Sequence, residues 1–265
     1  MSTFDFRLGR ALPHSLFAAA LAALTVAASA VVPAQEALPP ARKILDRHVA
    51  AIGGREALMA HSSIRMVGTL SIPAAGISGS LEAFAAKPNK LLVKSTIPGV
   101  GEVLEGFDGT VAWSVNPMTG PAVAVGKELD QKKFDADFYG ELREQARYKS
   151  ATTVEKTTWE GRPAYKISLV RPDGSEEFEY HDVENGFRIG REITRETPAG
   201  SLKVKQTSAD YRKFGNLMHP TRATVDVMNI QQLITISSVE YDKVDPAVFE
   251  LPAAIKGLVK IPAGQ

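Results

Sequence analysis

The stretch FDGTVAWSVNPMTGPAVAV, Phe107 to Val125, reads as strand, turn, strand. Asp108-Gly109 near its start, and Asn116-Pro117 with Gly120 further on, are turn formers: glycine reaches positive φ, and Asp and Asn side chains bond their own backbone. Between them Val111, Trp113 and Val115 alternate with Thr110, Ala112 and Ser114. A period of two places one face of a hairpin against something apolar. That partner is either the protein's own core or a bound hydrophobe.

The same period runs outward in both directions. Upstream lie IRMVGTLSI, SGSLEAFAAKP, KLLVKST and GEVLEGF, divided by turns at Pro73, Lys87-Pro88-Asn89 and Pro98-Gly99. Downstream lie ATTVEKTTW, PAYKISLV, EEFEYHD, FRIGREITRE, SLKVKQTSADYRKF, HPTRATVDVM and QLITISSVEY. Pro172-Asp173-Gly174, Glu184-Asn185-Gly186 and Phe214-Gly215-Asn216 make tight hairpin turns among them. Short strands at this spacing form an antiparallel barrel or sandwich rather than alternating β-α units, so the fold is mainly β.

Two helical segments flank and interrupt the strands. Ala41 to Ala51 sets Leu45, His48, Val49 and Ile52 on one face, Gly53-Gly54 ends it, and a short second turn runs through Leu58 to His61. In the middle of the chain, Phe134, Phe138, Leu142 and Ala146 recur at intervals of four among Asp, Glu, Gln and Lys. This predicts a helix over Leu129 to Tyr148 with a narrow apolar stripe, which needs an apolar partner and therefore covers a face or an opening of the sheet. Gly140 inside it weakens the helix by ~1 kcal/mol relative to alanine, so the segment is expected to open locally.

Composition narrows the setting. The chain has 265 residues, 44% of them hydrophobic and 23% charged, enough for a sizeable core. Arg7 and Arg10 precede the apolar run Leu16 to Val32, and small residues follow Pro33, the pattern of a secretory signal peptide over residues 1–34. Of 31 basic and 30 acidic side chains, Arg7, Arg10 and Asp5 leave with that leader, so the remaining charges balance. A neutral chain lacks the basic excess that a nucleic-acid binder needs. Cysteine is absent, which excludes a disulfide framework, a thiolate metal site and a lipidated N-terminal cysteine. The expected product is exported, soluble and not itself lipidated.

Sites for chemistry are not evident. His-Glu-x-x-His and His-x-x-Glu-His are missing, so no metal is expected. GISGS, Gly76 to Ser80, is not a nucleophile elbow, and GVGEVLEG, Gly99 to Gly106, lacks the following helix of a phosphate loop. His48, His61, His181 and His219 have no neighbouring carboxylate or serine in a catalytic order and read as surface or satisfied core residues. Glu176-Glu177 and the Asp135, Asp137 pair read as solvated faces. The chain reads as non-catalytic, with no cofactor.

A family resemblance adds to this reading. DGTVAWSVNP (Asp108 to Pro117), AAKPNKLLV (Ala85 to Val93) and DPAVFELPAAIKGLV (Asp245 to Val259) resemble the corresponding parts of the periplasmic outer-membrane lipoprotein carriers and their LolA/LolB-like relatives. The order and rough spacing match as well. The resemblance implies one LolA-like domain over residues 35–265: a half-open antiparallel β-barrel of about eleven strands around an apolar cavity, its open side covered or plugged by helices. It implies a monomeric periplasmic carrier of lipid or lipoprotein acyl chains with an envelope membrane-protein partner. Cavity and lid are then built by Phe84, Leu92, Trp113, Val115, Phe134, Phe138 and Leu142, with Trp113 pointing inward beside Phe84 and Leu92. In the carriers a basic residue just before the Pro-Asn pair helps hold the lid; the matching position is Lys87, whose point charge is not equivalent to the carriers' arginine fork. The segment ILDRHVAAIGGREAL, Ile44 to Leu58, resembles one found in relatives of unassigned function, some joined to zinc peptidases. Two further readings stay open: an interaction or scaffold module whose barrel its own side chains fill, serving as an accessory of an envelope protease, and a hydrolase without a recognisable motif.

Overall fold

Pro40 fixes the backbone ahead of the first helix, α1 (Ala41–Ala51), which buries Ala41, Ile44, Leu45, His48 and Val49 at helical spacing. Gly53 and Gly54 then take positive φ, and the Gly54 N–H bonds the Val49 carbonyl, which ends the helix as its sequence predicts. The structure, a computed structural model, describes residues 37–142, 147–197 and 200–259. The expected leader, Ala146 and the Pro198-Ala199 turn lie outside the described residues. The second helical turn, α2 (Arg55–Met59), falls three residues before its expected position.

Strands follow as a meander: β1 (Ser63–Ile72), β2 (Ile77–Ala86), β3 (Lys90–Ile97), β4 (Gly101–Phe107), β5 (Ala112–Asn116) and β6 (Gly120–Val123). A helical passage beginning with α3 (Gly126–Asp135) leads to a second meander. Its strands are β7 (Ser150–Trp159), β8 (Arg162–Val170), β9 (Glu176–Asp182), β10 (Arg188–Thr197), β11 (Gly200–Phe214), β12 (Leu217–Val227) and β13 (Ile230–Tyr241). The two meanders join through antiparallel pairing of β1 with β13, giving one sheet in the order β6-β5-β4-β3-β2-β1-β13-β12-β11-β10-β9-β8-β7. Thirteen strands stand where the resemblance implies about eleven. All thirteen correspond to alternating runs in the sequence.

The sheet is strongly curved, and one short helix demonstrates it. Eight strand spacings separate β5 from β10, about 38 Å along a flat sheet. Yet α3, about 15 Å long, touches both strands. Leu129 and Ala136 pack with Phe107 and Ala112 on one side, and the Gln131 side-chain amide bonds the Thr194 carbonyl at 2.8 Å on the other. The sheet therefore wraps round the helix as a half-open barrel, and the face carrying Leu91, Phe107 and Ala112 is concave.

Strand alternation puts Phe84, Leu92, Trp113 and Val115 on the opposite, convex face. They do assemble into one cluster, and Trp113 is 4% exposed, but its cover is the C-terminal segment. Phe249, in a 3-10 turn over Pro246–Phe249, and Ile255 on α4 (Ala253–Lys256) seal this face. The Trp113 ring lies on Gly106 of the neighbouring strand, where an added Cβ would come within 2.4 Å of the indole. Gly106→Ala should displace the ring and destabilise the fold by about 1 to 3 kcal/mol, an overpacking cost. Urea unfolding combined with near-ultraviolet circular dichroism checks this: an unchanged midpoint and an unchanged tryptophan band would show that the contact is dispensable.

Candidate functional site

The concave face has two halves of different chemistry. Over β1 to β3, β12 and β13 the register aligns apolar side chains, among them Leu70, Ile72, Val93, Ile97, Val225 and Ile234. None of these six is fully buried. Burying a Leu, Ile or Val side chain is worth about 1.5 to 3 kcal/mol, so a strand face of this composition left partly open is a trough that an apolar guest can fill.

The other half is closed and charged. Over β8 to β10 the helices α1 and α3 cover Ile167 and Leu169, with Glu177, Glu179 and His181 on the same strand faces. Glu177 is 1% exposed and Glu179 and His181 are 0%. Glu177 accepts from Arg171 at 2.8 Å, Arg191 at 2.6 Å and the Tyr148 hydroxyl at 3.1 Å. Glu179 pairs with Arg188 at 3.2 Å and lies 3.0 Å from His181 Nε2. Arg188 in turn holds Glu141 at 2.8 Å, and Glu141 lies 3.3 Å from His48 Nε2 on α1. Asp135, at the end of α3, is gripped by Arg195 and approached by Arg171 at 3.5 Å. Arginine–carboxylate pairs therefore tie the helical passage to the sheet.

This bears on three expectations. Glu177 and Asp135 are pieces of a buried network, not solvated faces, because Arg171 in the turn after β8 and Arg191 and Arg195 of β10 reach them. Lys87, the latch candidate, is exposed and makes no ion pair among the described residues, while the neighbouring Pro88 carbonyl accepts from the Phe138 N–H at 3.0 Å. Nor is there one helix from Leu129 to Tyr148. α3 stops at Asp135, since Asp137 turns its side chain onto the Tyr139 N–H, and a 3-10 turn, Gly140–Leu142, follows. Phe134 consequently packs against Tyr148 between the guanidinium groups of Arg147 and Arg171, 4.0 and 3.9 Å from its ring centre. Phe138 stacks edge-on against Tyr139, and Leu142 is buried. The structure does not bring these three together with Phe84, Leu92, Trp113 and Val115, which share the convex cluster.

A LolA superfamily protein from Nitrosomonas europaea superposes with a TM-score of 0.53, at 14% identity, over 81% of this chain and 99% of that one. A DUF1329 family protein from Desulfovibrio piger gives 0.54, also at 14% identity, over 80% and 98%. The fold is LolA-like. No protein-family profile matches the sequence, and no curated protein matches it. The LolA-like half-barrel thus holds an apolar trough beside a latched, charged plug. No group of three or more His, Cys, Asp or Glu among the described residues is placed to hold a metal ion, and no described helix is long and apolar enough to cross a membrane.

Sequence reading passed over the network because Glu177, Glu179 and His181 alternate with Phe178 and Tyr180 and look like an outer face. The available signal was Arg191, one hairpin later, which register sets opposite Glu179. Glu177→Leu should cost about 3 kcal/mol or more, since it leaves the largely buried Arg171 and Arg191 without their shared carboxylate; the urea midpoint reports it.

Burial lowers the His219 pKa to about 4, and also lowers that of His181. The unfolded chain takes up a proton on His219 near 6.5 while the folded state keeps it neutral, so stability falls as pH drops from 6.5 to about 4. His61 acts in the opposite sense: burial lowers its pKa, but hydrogen bonds to Asn216 and Asp242 raise it further, so its contribution fades as pH rises through the folded value. His219→Gln should flatten the decline between pH 6.5 and 4 in a urea titration. An unchanged slope would mean that His219 does not titrate with folding.

Proposed function

We propose that the protein is a non-catalytic carrier or binder of a hydrophobic ligand, the acyl chains of a lipid or lipoprotein, in the periplasm. The observation that carries this reading is the partly exposed apolar floor beside a plug held by ion pairs. A self-filled barrel would bury Val93, Ile97 and Ile234, whereas here they stay accessible. The likeness to a LolA superfamily protein supports the same architecture. In this reading the guest lies along β1 to β3, β12 and β13, and the Phe138–Leu142 end of the helical passage forms the movable wall. The convex cluster of Phe84, Leu92, Trp113 and Val115 anchors the C-terminal segment outside the trough. The exported chain acts as a soluble monomer, without lipid anchor or cofactor, and exchanges cargo with a membrane protein of the envelope.

The chain from Gln35 onward, which carries the complete sheet, should bind a fluorescent fatty acid at micromolar concentration. Val93→Glu and Ile234→Glu, each placing a charge on the floor, should weaken binding by about tenfold or more with far-ultraviolet circular dichroism unchanged. Native mass spectrometry of envelope-purified protein should show a co-purifying lipid. If the wild type takes no acyl probe, or both variants bind as it does, the trough is not a ligand site and a self-filled scaffold is the better description.

A further inference from the structure

In an all-antiparallel meander, alternate turns lie at the same end of the sheet. The turns β1–β2, β3–β4, β5–β6 and β12–β13 therefore form one rim. Their tips are poor in charge: Ser71 to Leu81, Ser95 to Gly101, Asn116 to Gly126 and Val227 to Val239 contain no Asp, Glu, Lys or Arg, while Asp226, just below the β12–β13 turn, accepts from the Asn229 N–H at 3.1 Å. Turns at the opposite rim carry Lys87, Asp108, Glu160 and Glu184. Of the other turns at this rim, Arg171 to Ser175 is charged and lies next to α3, and the β10–β11 turn is flanked by Glu196 and Lys203.

These tips also present apolar side chains to solvent. Met118 is 80% exposed, Met228 72% and Ile230 50%. Met228 takes φ 54°, a left-handed conformation at which glycine or asparagine is favoured. A methionine there is not explained by the turn it makes, and its side chain contributes no core packing. Ile72, Ile77 and Ile230 continue the concave floor up to this lip.

We propose that this rim docks on the surface of a lipid bilayer, with Met118, Met228 and Ile230 entering the headgroup boundary and the trough opening onto it. The proposal rests on the carrier reading and names the surface at which cargo changes hands. Separate tips spread along β5 to β12 suit a planar apolar boundary better than a single peptide, which needs a continuous groove. Their backbone is already paired as hairpins, so entering the interface exposes few unsatisfied groups. With no basic residue at the tips, docking is driven by apolar burial and needs no anionic lipid.

Flotation of the chain from Gln35 onward with phosphatidylcholine vesicles tests this. The expected result is co-flotation that persists when salt is raised from about 50 to about 500 mM, because the tips carry no Lys or Arg whose attraction to headgroups salt could screen. Met118→Asp with Met228→Asp should reduce the floated fraction about fivefold or more and leave fatty-acid binding in solution intact. Val93→Glu should do the reverse, so that failure of the rim and failure of the trough are told apart. The proposal is overturned if the wild type does not float, if the double variant floats equally, or if the same substitutions instead dissolve a concentration-dependent dimer.

Discussion

Everything in this molecule depends on the pairing of its first and last strands. Ile64 faces Tyr241 and Ser71 faces Leu233, so residues at the two ends of the described chain close one curved sheet. Every other neighbour pair in that sheet is consecutive in sequence. Without this seam there are two meanders, each with another open edge and half a concave face. Gly68 makes the seam possible: it sits at a register shift, where a Cβ would come within 2.0 Å of the Thr235 carbonyl oxygen. The loop-closure entropy of joining such distant segments grows only slowly with length, but contacts of this separation form late and make folding slow.

The seam also fixes what happens at the edges. Because β1 and β13 meet in the middle, the outer strands β6 and β7 are consecutive in the chain, and the passage between them has to cross the mouth of the half-barrel. That passage is α3 and the turns after it, so the plug follows from connectivity. At the other end, the chain leaves β13 beside the start of β1, where Asp242 accepts from the Ser62 N–H and hydroxyl and pairs with His61 at 2.7 Å. From this joint the C-terminal segment runs over the convex face and finds the tryptophan.

The plug and the trough divide the concave face by the kind of force each uses. Charges buried beneath α1 and α3 lose hydration that their pairing only partly returns, so their contribution is geometric: arginines with fixed forks admit few alternative positions for the helices. The trough has no such directional partners. Apolar contact is non-directional and tolerates guests of variable shape, which suits flexible chains. In the proposed carrier, a rigid polar latch beside a permissive apolar surface lets one sheet hold its own helices firmly and a ligand loosely.

Much of this was legible in the sequence. Alternation with a period of two gave the strands, and the Asp108, Asn116 and Gly53-Gly54 punctuation gave their turns and the end of α1, since these are local backbone effects that residue type largely decides. The burial of Trp113 with Phe84 and Leu92 was legible for the same reason: alternation sorts residues into two faces. It cannot say which face is concave. That depends on the sign of the sheet's curvature, on the seam between β1 and β13 and on where the C-terminal segment lies, all set by contacts between residues far apart in the chain. The tertiary structure alone therefore turned the tryptophan outward under the C-terminal cover, left Val93 and Ile234 as the open floor, and brought Glu177 and Asp135 together with Arg171, Arg191 and Arg195.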